Sequence, residues 1–159
     1  MSTTDTPPEG EPLARDIMTT PAVTVTPDVT VKDLVALFRD RRVGGVPVVD
    51  ADGMLVGIVT EGDLMAMDAD VEMPHYFELF DSIIYLGSQK KFKEQLKKAA
   101  AATVADLMTP APLTVKPDDP ARAAATLMSR HGFDRVPVEE DGKVVGIISR
   151  HDIMKILEL

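Results

Sequence analysis

Two short stretches of the chain place a side-chain hydroxyl three residues ahead of a carboxylate. They are Gly57-Ile58-Val59-Thr60-Glu61-Gly62-Asp63 and Gly146-Ile147-Ile148-Ser149-Arg150-His151-Asp152. At the start of a helix this spacing is close to a capping box, in which the two side chains satisfy otherwise unpaired backbone N–H groups. The same oxygens can also accept hydrogen bonds from a polar ligand, and one carboxylate accepts two donors at once. The second stretch is the more basic. Arg135 precedes Val136-Pro137-Val138 where the first half has Gly44-Gly45 instead, and Arg150 and His151 stand where the first half has Glu61 and Gly62. Arginine suits phosphate recognition, and surface solubility is the other use of such residues.

No catalytic reading survives. The chain has no cysteine and no glycine-rich phosphate loop followed by lysine, and His75, His131 and His151 lack metal-ligand spacing. No metal site and no catalytic cofactor are expected.

The elements that must position these residues come twice. Asp16-Ile-Met-Thr19 recurs as Asp106-Leu-Met-Thr109, Thr24-Val-Thr-Pro-Asp28 as Thr114-Val-Lys-Pro-Asp118, and Val46-Pro-Val48 as Val136-Pro-Val138, all offset by 90. One residue then drops out between Ala51-Asp-Gly53 and Asp141-Gly142, in a turn, where a deletion is tolerated. The remaining matches, Thr60 with Ser149 and Asp63 with Asp152, are offset by 89. An internal duplication sets the organisation.

Within each copy, Pro27-Asp28 and Pro117-Asp118 are turn signals ahead of a helix. Val31, Leu34, Val35, Leu37 and Phe38 mark a helical face, and Ala121 to Met128 is an alanine-rich counterpart. Asp52-Gly53 between the apolar runs Val46–Val49 and Leu55–Val59 signals a hairpin. Thr60 and Ser149 start a second helix. The unit reads strand, helix, strand, strand, helix. Its strands scarcely alternate, so both faces need cover. The expected fold class is α+β, two repeats packed with pseudo-twofold symmetry.

The expected boundaries are a disordered tail over 1–12, repeats over 13–67 and 103–159, and a helical insertion over 68–102. In the insertion, Phe77, Phe80, Ile83, Ile84 and Leu86 form an apolar run, and Gln89 to Ala102 is rich in helix formers. Two helices joined near Gly87-Ser88 are predicted. Lys90, Lys91, Lys93, Lys97 and Lys98, opposed only by Glu94, read as a solvated helix face or a binding surface.

Composition narrows the partners. The chain has 159 residues, 45% of them hydrophobic and 27% charged, as in ordinary globular proteins. The net charge of −9 disfavours nucleic acid. No apolar run approaches a bilayer-spanning length, and Met1 to Glu11 lacks a signal-peptide pattern. These features, with the absence of cysteine, fit a cytoplasmic protein.

The ordered set Asp-Ile-Met-Thr, Val-Thr-Val-Thr-Pro-Asp, Val-Pro-Val-Val-Asp and Gly-Ile-Val-Thr-Glu-Gly-Asp, found again from Val104-Ala-Asp-Leu-Met-Thr109 to Gly146-Ile-Ile-Ser-Arg-His-Asp152, resembles a tandem pair of CBS domains. The chain is similar to stand-alone bacterial CBS-pair proteins with a helical insertion between the repeats. The resemblance implies a regulatory, non-catalytic module. Its clefts between repeats would bind AMP, ADP or ATP (with Mg accompanying ATP) or S-adenosylmethionine. A ligand-free dimerisation scaffold is the alternative. The resemblance further implies that Asp63 and Asp152 take the ribose diol, and that Thr60 and Ser149 sit near ribose or phosphate. Arg135, Arg150 and His151 would lie on the phosphate side. Val46, Val136, Ile58 and Ile147 would line the adenine pocket, although a place in the core is an equal reading of these four. A homodimer is expected, with Leu64, Met65, Ile153, Met154, Ile156 and Leu157 as apolar surface to bury, together with a regulated protein that the sequence does not name.

Overall fold

The helix Val31–Arg41 forms because Thr30 caps it, its hydroxyl accepting the Asp33 N–H at 3.2 Å, and because Val31, Leu34 and Phe38 share one buried face. Its counterpart Ala121–His131 buries Ala121, Ala124 and Met128, the same three positions shifted by 90. The first ends in the left-handed conformation at Arg42 (φ 52°), the second at Gly132 (φ 71°). The structure is a computed structural model that describes residues 9–70, 75–79, 82–86 and 102–157.

In chain order the elements are α1 (Ala14–Ile17), α2 (Val31–Arg41), β1 (Gly45–Val49), β2 (Leu55–Thr60), α3 (Glu61–Asp70), β3 (His75–Leu79), β4 (Ser82–Leu86), α4 (Val104–Leu107), β5 (Thr109–Pro110), α5 (Ala121–His131), β6 (Arg135–Glu140), β7 (Lys143–Ser149) and α6 (Arg150–Met154). Strands β1, β2 and β5 form one sheet, β6 and β7 a second, and β3 and β4 a third. The mixed α and β content and the helix–hairpin–helix order of each repeat are as expected. The leading strand of each repeat shrinks to a single parallel bridge, Val25 with Val48 and Val115 with Val138. Pro27 and Pro117, two residues further on, have no N–H to extend the pairing.

The chain divides into two units. One comprises Met1–Val25, Val46–Ile58 and Thr109–Leu159, the other Thr26–Gly45 and Val59–Met108. The first unit has a continuous core of Ala14, Ile17, Val115, Ala121, Ala124, Met128, Val136, Val138, Ile148 and Ile153. Helix α1 reaches this core by docking beside α5. The Ala14 N–H donates to the Asp119 carbonyl (2.8 Å), Arg15 N–H to Pro117 (3.0 Å), and Ala121 N–H to Pro12 (2.9 Å). Arg15 also pairs with Asp118, and Arg122 with Glu11 at 3.0 Å. The expected tail boundary therefore moves: Glu11 and Pro12 are held, because the Pro12 carbonyl satisfies an N-terminal donor of α5. The remainder of the tail, 1–8, lies outside the described residues.

The second unit repeats the same three backbone bonds at an offset of 90. Val104 N–H donates to Val29, Ala105 to Pro27, and Val31 to Ala102, at 2.8, 2.9 and 2.9 Å. Val31, Leu34, Phe38, Val59 and Val104 are buried there. Neither α1 nor α4 was predicted. Four residues show no helical period, and their shared Asp16 and Asp106, which accept the N–H groups of Leu13 and Thr103 at 2.8 and 2.9 Å, are the only local signal.

The insertion corrects one expectation. Its first half is not a helix but an antiparallel hairpin, β3 with β4, pairing His75 with Leu86, Tyr76 with Tyr85 and Phe77 with Ile84. Aromatic and β-branched residues favour the pleated conformation. The predicted helix Gln89 to Ala102 and its lysines lie almost wholly outside the described residues.

Candidate functional site

Thr60 is the last residue of β2, and Asp63 sits in the first turn of α3. One carboxylate oxygen, Asp63 Oδ2, accepts the Thr60 N–H at 2.8 Å and the Thr60 hydroxyl at 3.3 Å. Gly44 anchors the same turn by accepting the Glu61 N–H at 2.9 Å. Both Thr60 and Asp63 are half-buried.

The other unit builds the matching turn. Ser149 ends β7, and Asp152 Oδ2 accepts its N–H at 2.9 Å and its hydroxyl at 3.0 Å. The Ser149 oxygen in turn accepts the Asp152 N–H at 3.3 Å. Asp134 accepts the Arg150 N–H at 3.1 Å, as Gly44 does for Glu61. The reciprocal cap suggested by the spacing is thus formed. Asp152 is only 4% exposed, and its second oxygen, Oδ1, accepts Lys155 Nζ at 3.1 Å. Among the described residues, Asp63 Oδ1 has no such partner.

The three basic residues of the second repeat take different positions. Arg135 is half-buried and stands directly opposite Ser149 in the β6–β7 ladder, so the structure brings these two together. Arg150 Nε pairs with Asp134 at 2.8 Å, both side chains exposed. Arg150 also lines an apolar groove of about 260 Å³ with Ala125, Met128, Ser129, Ile153 and Met154. His151 is exposed. Val46 and Val136 are fully buried, so their side chains belong to the core and only their backbone faces a strand edge. Ile58 and Ile147 are half-buried.

The segments that follow α1 and α4 carry no signal of a role in the sequence beyond their repetition, yet both edge a hairpin. Thr19 exchanges two backbone hydrogen bonds with Ile147 (2.9 and 3.1 Å), and the Thr20 hydroxyl donates to the Val145 carbonyl at 3.0 Å. Thr109 and Pro110 lie against Ile58 and Gly57 in the same way. Met18 covers Gly146 so closely that a Cβ there would meet its sulfur at 2.5 Å, which is why a glycine occupies this position. The repeated Asp-x-Met-Thr motif was the available signal. Among the described residues, no group of three His, Asp or Glu side chains could hold a metal ion.

Paired hydroxyl–carboxylate turns at the ends of two hairpins, each edged by a threonine segment, define a class. Residues 14–70 and 104–159 match the CBS domain family, and the chain belongs to it. Among particular relatives, the uncharacterized protein MJ1426 of Methanocaldococcus jannaschii is 34% identical over 153 residues, covering 91% of this chain and 90% of that protein. The CBS domain-containing protein CBSX2, chloroplastic, of Arabidopsis thaliana is 35% identical over 136 residues, covering 82% of this chain. The chain spans just over half of that protein's length, 56%. A crystal structure of CBSX2 in complex with AMP superposes with a TM-score of 0.68 at 30% identity, covering 91% of this chain and 94% of the other. The CBS domain pair of protein MJ0100, in complex with 5'-methylthioadenosine and S-adenosyl-L-methionine, has a TM-score of 0.70 at 24% identity, covers 92% and 95%, and shares the fold.

Proposed function

We propose that this chain is a regulatory module that binds an adenine nucleotide, AMP before ADP or ATP, at the turns Thr60–Asp63 and Ser149–Asp152, and performs no chemistry on it. The observation that carries the reading is the duplicated turn itself. Each places a carboxylate at the end of a hairpin with one oxygen committed to the cap; the second oxygen, open at Asp63 and paired with Lys155 at Asp152, is the acceptor proposed for a ribose diol. The likeness to CBSX2, whose structure holds AMP, supports an adenosyl ligand. Arg135, across the ladder from Ser149, is the cation best placed for a phosphate. The Asp134 pair of Arg150 competes with that role.

Calorimetry with AMP, adenosine, ATP with Mg and S-adenosylmethionine tests the assignment. Arg135→Ala is expected to weaken AMP by about ten- to a hundredfold, the worth of one charge-assisted hydrogen bond, and to leave adenosine unchanged. Asp63→Asn is expected to weaken AMP and adenosine alike at its own turn. Equal losses of AMP and adenosine in Arg135→Ala would assign Arg135 to the fold. A preference for S-adenosylmethionine would change the ligand, and no heat with any adenosyl compound at millimolar concentration would leave the scaffold reading.

The module is proposed to work as a homodimer. Met65, Met154 and Leu157 remain 67%, 63% and 57% exposed and offer apolar area to a second copy, whereas Ile153 is spent in the core of its own unit. Light scattering at micromolar concentration giving the 17.2 kDa monomer mass would overturn this.

A further inference from the structure

Lys155 has no counterpart in the first repeat: at the matched position, 89 residues earlier, stands Ala66. Its ammonium group sits 3.1 Å from Asp152 Oδ1, the one oxygen of that carboxylate not already accepting from Ser149. The Asp152 side chain is 5% exposed and that of Lys155 58%, so the lysine occupies the solvent side of an otherwise enclosed carboxylate. Ala66 carries only a methyl group and cannot cover Asp63 in this way.

We infer that Lys155 is an internal competitor for the ribose diol, a specificity-determining residue that makes Asp152 the weaker of the two nucleoside acceptors. The inference rests on the reading of Asp63 and Asp152 as ribose acceptors. A hydroxyl donor approaching Oδ1 must displace the ammonium or share its oxygen, and the ion pair it disturbs is half sheltered from water. The two turns therefore share the bonds from the hydroxyl residue to the carboxylate and differ in what the second oxygen offers. Asp63 is open to a neutral nucleoside, whereas Asp152 responds to whatever draws Lys155 away. A phosphate is such a group, because the displaced ammonium can follow it. AMP thus loses less than adenosine at Asp152.

The test uses the full chain and adenosine as the probe, with binding measured by calorimetry. Asp63→Asn, which keeps a cap acceptor, weakens the first turn so that the second dominates. Adding Lys155→Met to that background is expected to tighten adenosine roughly three- to tenfold, the range set by a partly exposed ion pair. Lys155→Arg, which keeps charge and reach, should restore the weaker binding. Unchanged adenosine affinity on adding Lys155→Met overturns the competitor role while leaving the nucleotide reading intact. Binding to the unaltered protein, but to neither Asp63→Asn variant, makes Asp152 a cap alone and also overturns it. No adenosyl compound binding to any form removes the nucleotide reading and this inference together.

Discussion

Helices α2 and α5 bury the same three positions with different volumes: Val31, Leu34 and Phe38 on one, Ala121, Ala124 and Met128 on the other. The reason lies in what each helix meets. The alanine face of α5 shares its core with Ala14 and Ile17 of α1, which docks against it. Large side chains at 121 and 124 would fill the space α1 occupies. On α2 the larger Val31, Leu34 and Phe38 hold the matched positions, and α4, tied to the start of α2 by its backbone, also packs against α3. The backbone bonds that hold the two docking segments are the same in both units, so duplication preserved the hydrogen bonding while the volumes were redistributed around it.

The comparison can be broken most severely in the cores. Leu34→Ala should cost about 2–5 kcal/mol by removing a fully buried side chain. The opposite exchange at the matched position, Ala124→Leu, should also destabilise, by about 1–3 kcal/mol through overpacking against α1. Denaturant midpoints check both. A neutral Ala124→Leu would mean that α1 yields without cost.

The caps come next. Asp152→Ala should cost about 2–3 kcal/mol, because it strips acceptors from the Ser149 N–H, the Ser149 hydroxyl and Lys155. Asp63→Ala, at the more open turn, should cost nearer 1 kcal/mol. Thermal melts at one pH compare the pair, and equal losses would show that Lys155 contributes nothing.

Smaller again is the difference at the helix ends. Gly132→Ala places a Cβ in the left-handed region at φ 71° and should cost about 1 kcal/mol. Arg42 already bears that strain at φ 52°, so Arg42→Gly should be neutral or mildly stabilising.

The smallest effect is electrostatic. The Thr26 hydroxyl and the backbone N–H of Asp28 hold the Asp28 carboxyl below its ordinary value, whereas at the matched position Asp118 pairs with Arg15. A depressed carboxylate contributes stability above its unfolded pKa and loses it as the pH falls through the folded one. Thr26→Val should move Asp28 back toward the ordinary range in an NMR titration, with little change in melting temperature.

Much of this was legible in the sequence, because some features are written locally. Asp52-Gly53 announces a hairpin, Thr-x-x-Asp announces a cap, and an offset of 90 announces a duplication. What was not legible depends on distant partners. Ala14 and Ile17 read as nothing until Ala121 and Ala124 are beside them, and Lys155 reads as a surface lysine until Asp152 is folded beneath it. The hairpin β3–β4 was misjudged for a different reason: an apolar run of Phe and Ile fits either period, and its strand-forming residues were outweighed by the helix formers that follow. The Thr19 and Thr109 segments were visible as repeats and unreadable as edges, because edge pairing leaves no periodicity.

The docking of α1 on α5 joins residues such as Arg15 and Asp118 that are 103 positions apart. Contacts of such separation close late, after the loop entropy between them is spent. During synthesis the N-terminal side emerges first. Pro27 to Val31 is already waiting when Val104 arrives, so the second unit can close its strap at once. Ala14 must remain undocked until Ala121–His131 has been made. Two straps with the same three bonds are therefore equal in the finished protein and unequal in time, and Ile17 is the apolar surface left uncovered during the wait.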